Sequence, residues 1–191
     1  VAFIPTVGVS LDPTLAAAGL AGQPFAASVP TSQAVLGSGT IRASLQTIPA
    51  GVTVNSLACQ IGILAVGAVP TLIRLGLYDL SGNLLASTPN LASDARWTAA
   101  VKACFNAVST PFTVKQTAAF YVAMLQVGVF AGTDLQIVRA SAAVATSVGW
   151  PNNTTPSVSQ AGQSDLTNPA TFAPVSGQAT FWLAAATAAG S

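Results

Sequence analysis

Charge is what this sequence lacks. Of its 191 residues six are Lys or Arg and five are Asp, there is neither Glu nor His, and the charged fraction is 6%, against about a quarter in an ordinary soluble domain. A net charge of +1 supplies no basic stripe for nucleic acid and no basic helix for a membrane surface. Without His the commonest general base and metal ligand is missing. The carboxylates Asp12, Asp79, Asp94, Asp134 and Asp165 are scattered along the chain, so the paired acids of a glycoside hydrolase have no local origin. None of the 17 serines has a His or Glu partner to activate it as a nucleophile. These absences predict a protein that is not an enzyme and takes neither a metal nor a cofactor.

Cysteine is scarce as well. Cys59 and Cys104 fall short of any closed zinc site, and both sit in apolar, strand-like contexts where a thiol packs as a small hydrophobe. Thiols are the expected state. The alternative, a disulfide closing a 45-residue loop, is worth about 4 kcal/mol in the chain-entropy model. Mean hydropathy is +0.62, and the stretch from Ala43 to Ile73 is uncharged and long enough to cross a bilayer. Pro49 and Pro70 interrupt it, however, and Gln46, Asn55, Ser56 and Gln60 would carry amides and hydroxyls into hydrocarbon. No membrane span is expected. The opening Val-Ala-Phe-Ile-Pro has no basic region of a secretory signal, and with Met absent there the expectation is a processed product or an excised segment.

What the chain has in abundance is Ala (37), Ser and Thr (37 together), Gly (16) and Pro (12). Ala alone would favour helix, but the periodicity does not. Runs such as Ile61 to Val66, Ile73 to Tyr78 and Phe120 to Val127 are short, rich in β-branched and aromatic residues, and bounded by Gly, Pro, Asn and Ser, which is a strand signature. Only 14–21 and 97–107 could hold a short helix. Residues 1–38, with Pro5, Pro13, Pro24 and Pro30, read as an extended arm. From residue 39 to 191 the pattern is that of a sandwich domain. Ile41, Ala43 and Leu45 alternate with Arg42, Ser44 and Gln46, predicting a half-buried antiparallel strand with the apolar set inward. A second strand follows over 52–63, then a break at 68–70. Asp79-Leu-Ser-Gly-Asn83 predicts a turn with Gly82 at positive φ, returning as Leu84 to Thr88. Further strands are expected at 101–105, 112–115, 119–127, 135–140 and 178–186, with a long uncharged polar loop at about 146–168. Eight or nine mostly antiparallel strands with long crossovers predict an all-β, antiparallel β-sandwich of jelly-roll type.

The string Leu75-Gly-Leu-Tyr-Asp-Leu-Ser-Gly-Asn-Leu-Leu-Ala-Ser87, with Phe105, Thr110-Pro-Phe-Thr113 and Phe120-Tyr-Val-Ala-Met124, resembles the β-sandwich domains of minor tail, fibre and head-surface proteins of tailed bacteriophages. There a "YDxxGxLLA" hairpin precedes a strand reading "GxYYLAL". The likeness covers roughly 39–140, and Thr117-Ala118-Ala119 stands where a Gly would precede the aromatic strand. Similar hairpins occur in bacterial surface and carbohydrate-binding sandwiches. The resemblance implies a virion structural protein, or an extracellular or cell-surface module. It attaches no particular ligand; the missing charge, read as surface buried between subunits, predicts as partners copies of itself as a trimer or larger and other virion proteins, and the loop at Trp150 predicts a host surface glycan.

Candidate sites follow from the loops. Trp150, beside Pro151, Asn152 and Asn153, offers an aromatic platform flanked by amides and hydroxyls, suited to a glycan or receptor; the competing reading is that Trp150 plugs the end of the sandwich or an interface. The sequons at Asn152 and Asn153 read as chance in a Thr-rich loop. Asp79, Ser81 and Asn83 alternate like the first ligands of a calcium loop, but the downstream bidentate acid is missing, so a hairpin turn is expected. Trp97 and Trp182 read as packing residues.

Overall fold

The computed structural model describes residues 17, 19–23, 32–63, 66–99, 103–133, 135–139, 157–175 and 180–188. Among them the only helical segment longer than a single residue is α1 (Arg96–Ala99), and no helix is long and apolar enough to cross a membrane. The strands are β1 (Leu20–Gly22), β2 (Ser32–Val35), β3 (Ile41–Ile48), β4 (Thr53–Ile63), β5 (Val66–Tyr78), β6 (Leu84–Ser87), β7 (Ala103–Thr113), β8 (Ala118–Thr133), β9 (Gln136–Arg139), β10 (Ser157–Gln160), β11 (Ala173–Pro174) and β12 (Leu183–Ala186). The chain is all-β, as the break spacing and β-branched runs predict.

Three antiparallel pairings are nested: β3 with β8, β4 with β7, and β5 with β6. This is a long ribbon rolled on itself. It puts β3, β8, β5 and β6 side by side in one sheet, extended by β10 and β11, while β4 and β7 lie in the other with β1, β12, β9 and β2. Two sheets facing each other in that wrapping make a jelly-roll-like sandwich. One of the two sheets is strongly curled.

Several boundaries differ from the sequence expectation, each for a local reason. The break expected at 68–70 is a bulge: β5 runs through Pro70, and its register against β8 shifts between Pro70 and Leu72, which accommodates the missing N–H. Of the stretch 97–107 that could hold a helix, 97–99 are helical and 103–107 belong to β7, and the two strands expected at 101–105 and 112–115 are one, β7, continuing through Pro111. Proline is tolerated there because β4 is the only neighbour of β7 among the described strands, leaving β7 an edge. Strands β1 and β2 lie within the stretch read as an arm, and β10 within the stretch read as a long loop.

The largest correction concerns β3. Ile41, Ala43 and Leu45 were expected to face the core and Arg42, Ser44 and Gln46 the solvent. Instead both faces are covered: Ser44 and Gln46 are as fully buried as Leu45, and it is the polar set that points between the sheets. The Ser44 hydroxyl donates to the carbonyl of Phe181 at 2.7 Å, and Gln46 Oε1 accepts from the N–H of Ala185 at 3.3 Å. These bonds cross from one sheet to the other and satisfy the Ser44 hydroxyl, Gln46 Oε1 and backbone groups near β12, while Gln46 Nε2 and Arg42 Nε are buried with no hydrogen-bond partner among the described residues. Ile41 and Ala43 face outward into a second apolar cluster with Tyr78, Ala123, Leu125, Val158 and Ala170.

The main core lies between the sheets. Leu57, Cys59 and Ile61 of β4 meet Ile73, Leu75 and Leu77 of β5, Val122 and Met124 of β8, and Trp97 of α1. A third cluster, Leu20, Ala58, Trp182, Ala184 and Ala186, lies on the β1–β12–β4 sheet. Trp97 and Trp182 are both 1% exposed, as packing residues. Arg96 fixes α1 to β7: its guanidinium donates to Asp94 Oδ2, to the Phe105 carbonyl at 3.0 Å and to Asn106 Oδ1 at 2.9 Å. The hydrogen bond to Asp94 raises the Arg96 pKa against the opposing pull of burial.

Candidate functional site

The outer face of the β3–β8–β5 sheet would be an apolar surface if left open. Tyr78 projects there from β5 and Tyr121, Ala123 and Leu125 from β8, by the two-residue alternation that sends their neighbours Leu77, Val122 and Met124 to the core. A strap over 161–174 covers part of it. Asp165 pairs with Arg74 of β5 at 3.3 Å. Asn168 Oδ1 accepts from the Leu84 N–H at 3.1 Å, and the Ala170 N–H donates to the Gly82 carbonyl at 2.8 Å. Gln160 Oε1 accepts from Thr171 N–H at 2.8 Å. Phe172 then packs edge-on against both tyrosines, 5.1 Å from the Tyr78 ring and 5.4 Å from that of Tyr121.

Between this strap and the β5–β6 turn lies an open groove of about 530 Å³, whose walls include Leu80, Ser81, Tyr121, Pro169, Thr171 and Phe172. That volume is within the range of small-ligand sites. The turn wall is rigid because Asp79 ties it together: its carboxylate accepts from the N–H groups of Ser81 and Asn83, both at 2.9 Å, and from Asn83 Nδ2 at 2.7 Å. Desolvation pushes the Asp79 pKa up, but hydrogen bonds from Asn83, Ser81 and Gly82 outweigh it and leave the group below its ordinary value. The residues that would begin a calcium loop therefore cap a hairpin turn, and Gly82 takes φ +85° as expected.

Among the described residues no charged one lines the groove. The nearby carboxylates are committed, Asp79 to its turn and Asp165 to Arg74. What it offers is aromatic surface, proline rings and hydroxyls. Burial raises the Tyr121 pKa, so its phenol keeps its proton and can donate. Tyr78 lies deeper, its pKa raised by burial and then by the charge of Asp165, and its hydroxyl has no hydrogen-bond partner among the described residues.

Trp150, Asn152 and Asn153, the sequence-predicted binding residues, lie outside the described residues. Phe172 and Thr171 were not singled out from sequence. The local signal was the pair Pro169 and Pro174 around Thr171-Phe172, but what makes them a wall is contact with Tyr78 and Tyr121, far away in the chain. Among the described residues no three His, Cys, Asp or Glu side chains gather as a metal set.

A comparison with known protein-family models found no match for the chain, and a comparison with characterised protein sequences found none either.

Proposed function

We propose that the chain is a non-enzymatic structural subunit of a bacteriophage virion, a tail, fibre or head-surface component that assembles with copies of itself. The observation that carries the assembly reading is the far end of the β5–β8 pair. β3 covers β8 only as far as Met124. Just beyond it Ser38 and Gly39 hydrogen-bond to Gln126 and Gly128; from Val129 to Thr133 β8 is paired, among the described residues, with β5 alone, back to Val66. Val129 in this ribbon is 77% exposed, β8 carries no charge and Arg74 is the one charge in β5. A two-stranded ribbon standing alone is marginal in water, and exposed strands that must stay unpartnered normally carry Lys or other charges. An uncharged ribbon on a chain of near-zero net charge suits association. The bacteriophage setting rests on the hairpin resemblance around Tyr78 and Asp79.

Light scattering of the purified chain should give the mass of a trimer or larger, and Val129→Asp should shift it towards the monomer while the far-ultraviolet dichroism stays β. A monomer at every concentration tested overturns the proposal.

The groove supports a second reading, a glycan- or receptor-binding module. A neutral site of aromatic faces and hydroxyls matches an uncharged sugar, which stacks one apolar face and hydrogen-bonds its edge. Tyr121→Ala should lower retention on an array of neutral polysaccharides about tenfold, the upper worth of one aromatic contact. Unchanged retention removes this groove from consideration.

A further inference from the structure

The pairing of β4 with β7 brings the two cysteines together. Cys59 lies directly opposite Cys104, flanked by Ala58 opposite Phe105 and Gln60 opposite Ala103. Residues directly opposed in an antiparallel pair have Cα atoms about 4.5 to 5.5 Å apart, within the span that a disulfide bridges. Opposed residues also share a face, and both cysteines belong to the cluster between the sheets. Both are buried and present as thiols.

We propose that Cys59 and Cys104 form a cross-strand disulfide site, oxidised by a small-molecule disulfide such as glutathione disulfide and closed within one chain. One protein thiol, deprotonated, attacks a sulfur of glutathione disulfide, forming a mixed disulfide and expelling one glutathione thiolate. The second, deprotonated in turn, attacks the protein sulfur of that mixed disulfide and expels the other glutathione. Two protein S–H bonds are lost, one S–S bond forms between β4 and β7, and one glutathione disulfide becomes two glutathiones.

The same geometry governs the rate. Burial first, and then the neighbouring Cys104, raise the Cys59 pKa, with Arg96 opposing; a protonated, enclosed thiol is a poor nucleophile. Exchange therefore waits for β7, an edge strand held laterally by β4 alone among the described strands, to come away. The bond forms readily as the chain folds and slowly once it has folded. An extracellular or virion location favours the oxidised form, although the site stands on the strand register and not on that location.

The test uses the whole chain, reduced, unfolded and refolded in a mixture of reduced and oxidised glutathione, then alkylated and digested without reduction. The expected product is the Cys59 peptide joined to the Cys104 peptide, two hydrogens lighter than the sum, with neither cysteine alkylated. The oxidised chain should unfold at higher urea than the reduced chain, and Cys104→Ala should show no such redox-dependent difference. Alkylation of both thiols in the refolded protein, persistent glutathione adducts, or disulfides only between chains would each overturn the proposal.

Discussion

Gly82→Ala is expected to destabilise the protein by about 2 to 5 kcal/mol, a large part of the 5 to 15 kcal/mol that holds a typical domain together. Two costs add. Gly82 sits at φ +85°, where an L residue pays about 1 to 2 kcal/mol. A Cβ there would also lie 2.1 Å from the Ala170 carbonyl oxygen and 3.2 Å from the Ala170 nitrogen. Those are backbone atoms of the strap, and the Ala170 N–H is bonded to the Gly82 carbonyl, so no side chain can swing aside. Overpacking of this kind typically costs about 1 to 3 kcal/mol. Gly51 is the control, because at φ +80° its Cβ would meet nothing within 4 Å, and Gly51→Ala should cost only the conformational part. Urea unfolding of the two variants measures the difference. In Gly82→Ala, proteolysis should also begin within 161–174, since Phe172 and the tyrosines lose their cover. Equal losses in both variants would show that the strap is not held at this contact.

Trp97→Ala is expected to cost about 3 to 5 kcal/mol, the range for deleting a buried large aromatic side chain. Trp97 is 1% exposed, and its indole N–H donates to the Leu91 carbonyl at 2.6 Å. It enters the main core where the chain crosses from β6 in one sheet to β7 in the other. Trp97→Phe should lose about 1 to 2 kcal/mol, because it keeps most of the apolar contact and forfeits the hydrogen bond. The order Ala below Phe below wild type in thermal midpoint checks the assignment; a Phe variant as unstable as the Ala variant would place the weight on the hydrogen bond.

Much of the fold was legible because strand signals are local. The 79–83 turn could be read from one Asp, one Gly and one Asn, and its structure is the one those residues dictate. The all-β class followed from β-branched runs and the spacing of Gly and Pro. Which face of β3 turns inward was not legible, since alternation marks two faces but does not say what covers each. The answer depends on Phe181 and Ala185, which accept and donate the hydrogen bonds of Ser44 and Gln46, and on a strap whose Leu166, Ala170 and Phe172 lie more than a hundred residues away. Pro70 and Pro111 misled for a related reason: each breaks a strand in general, but a bulge or a free edge absorbs it. The groove was illegible because its aromatic wall is assembled from β8 and the strap. The opposition of Cys59 and Cys104 needed the register of β4 against β7, which their separation of 45 residues does not encode.

The strap and the β3 seam also set an order on folding. Ser44 bonds 137 residues ahead and Asn55 bonds Thr187 across 132, so hydrogen bonds that tie down β3 inside the sandwich and β4 at its surface are made with nearly the last residues described. Contacts this distant close slowly. While the chain is being synthesised, Ile41, Ala43 and the aromatic face of β8 are made well before Leu166 and Phe172 exist to cover them. A nascent or C-terminally shortened chain thus presents a broad sticky sheet with its inward-facing amides unsatisfied, a species that chaperones would hold and that would aggregate if released early.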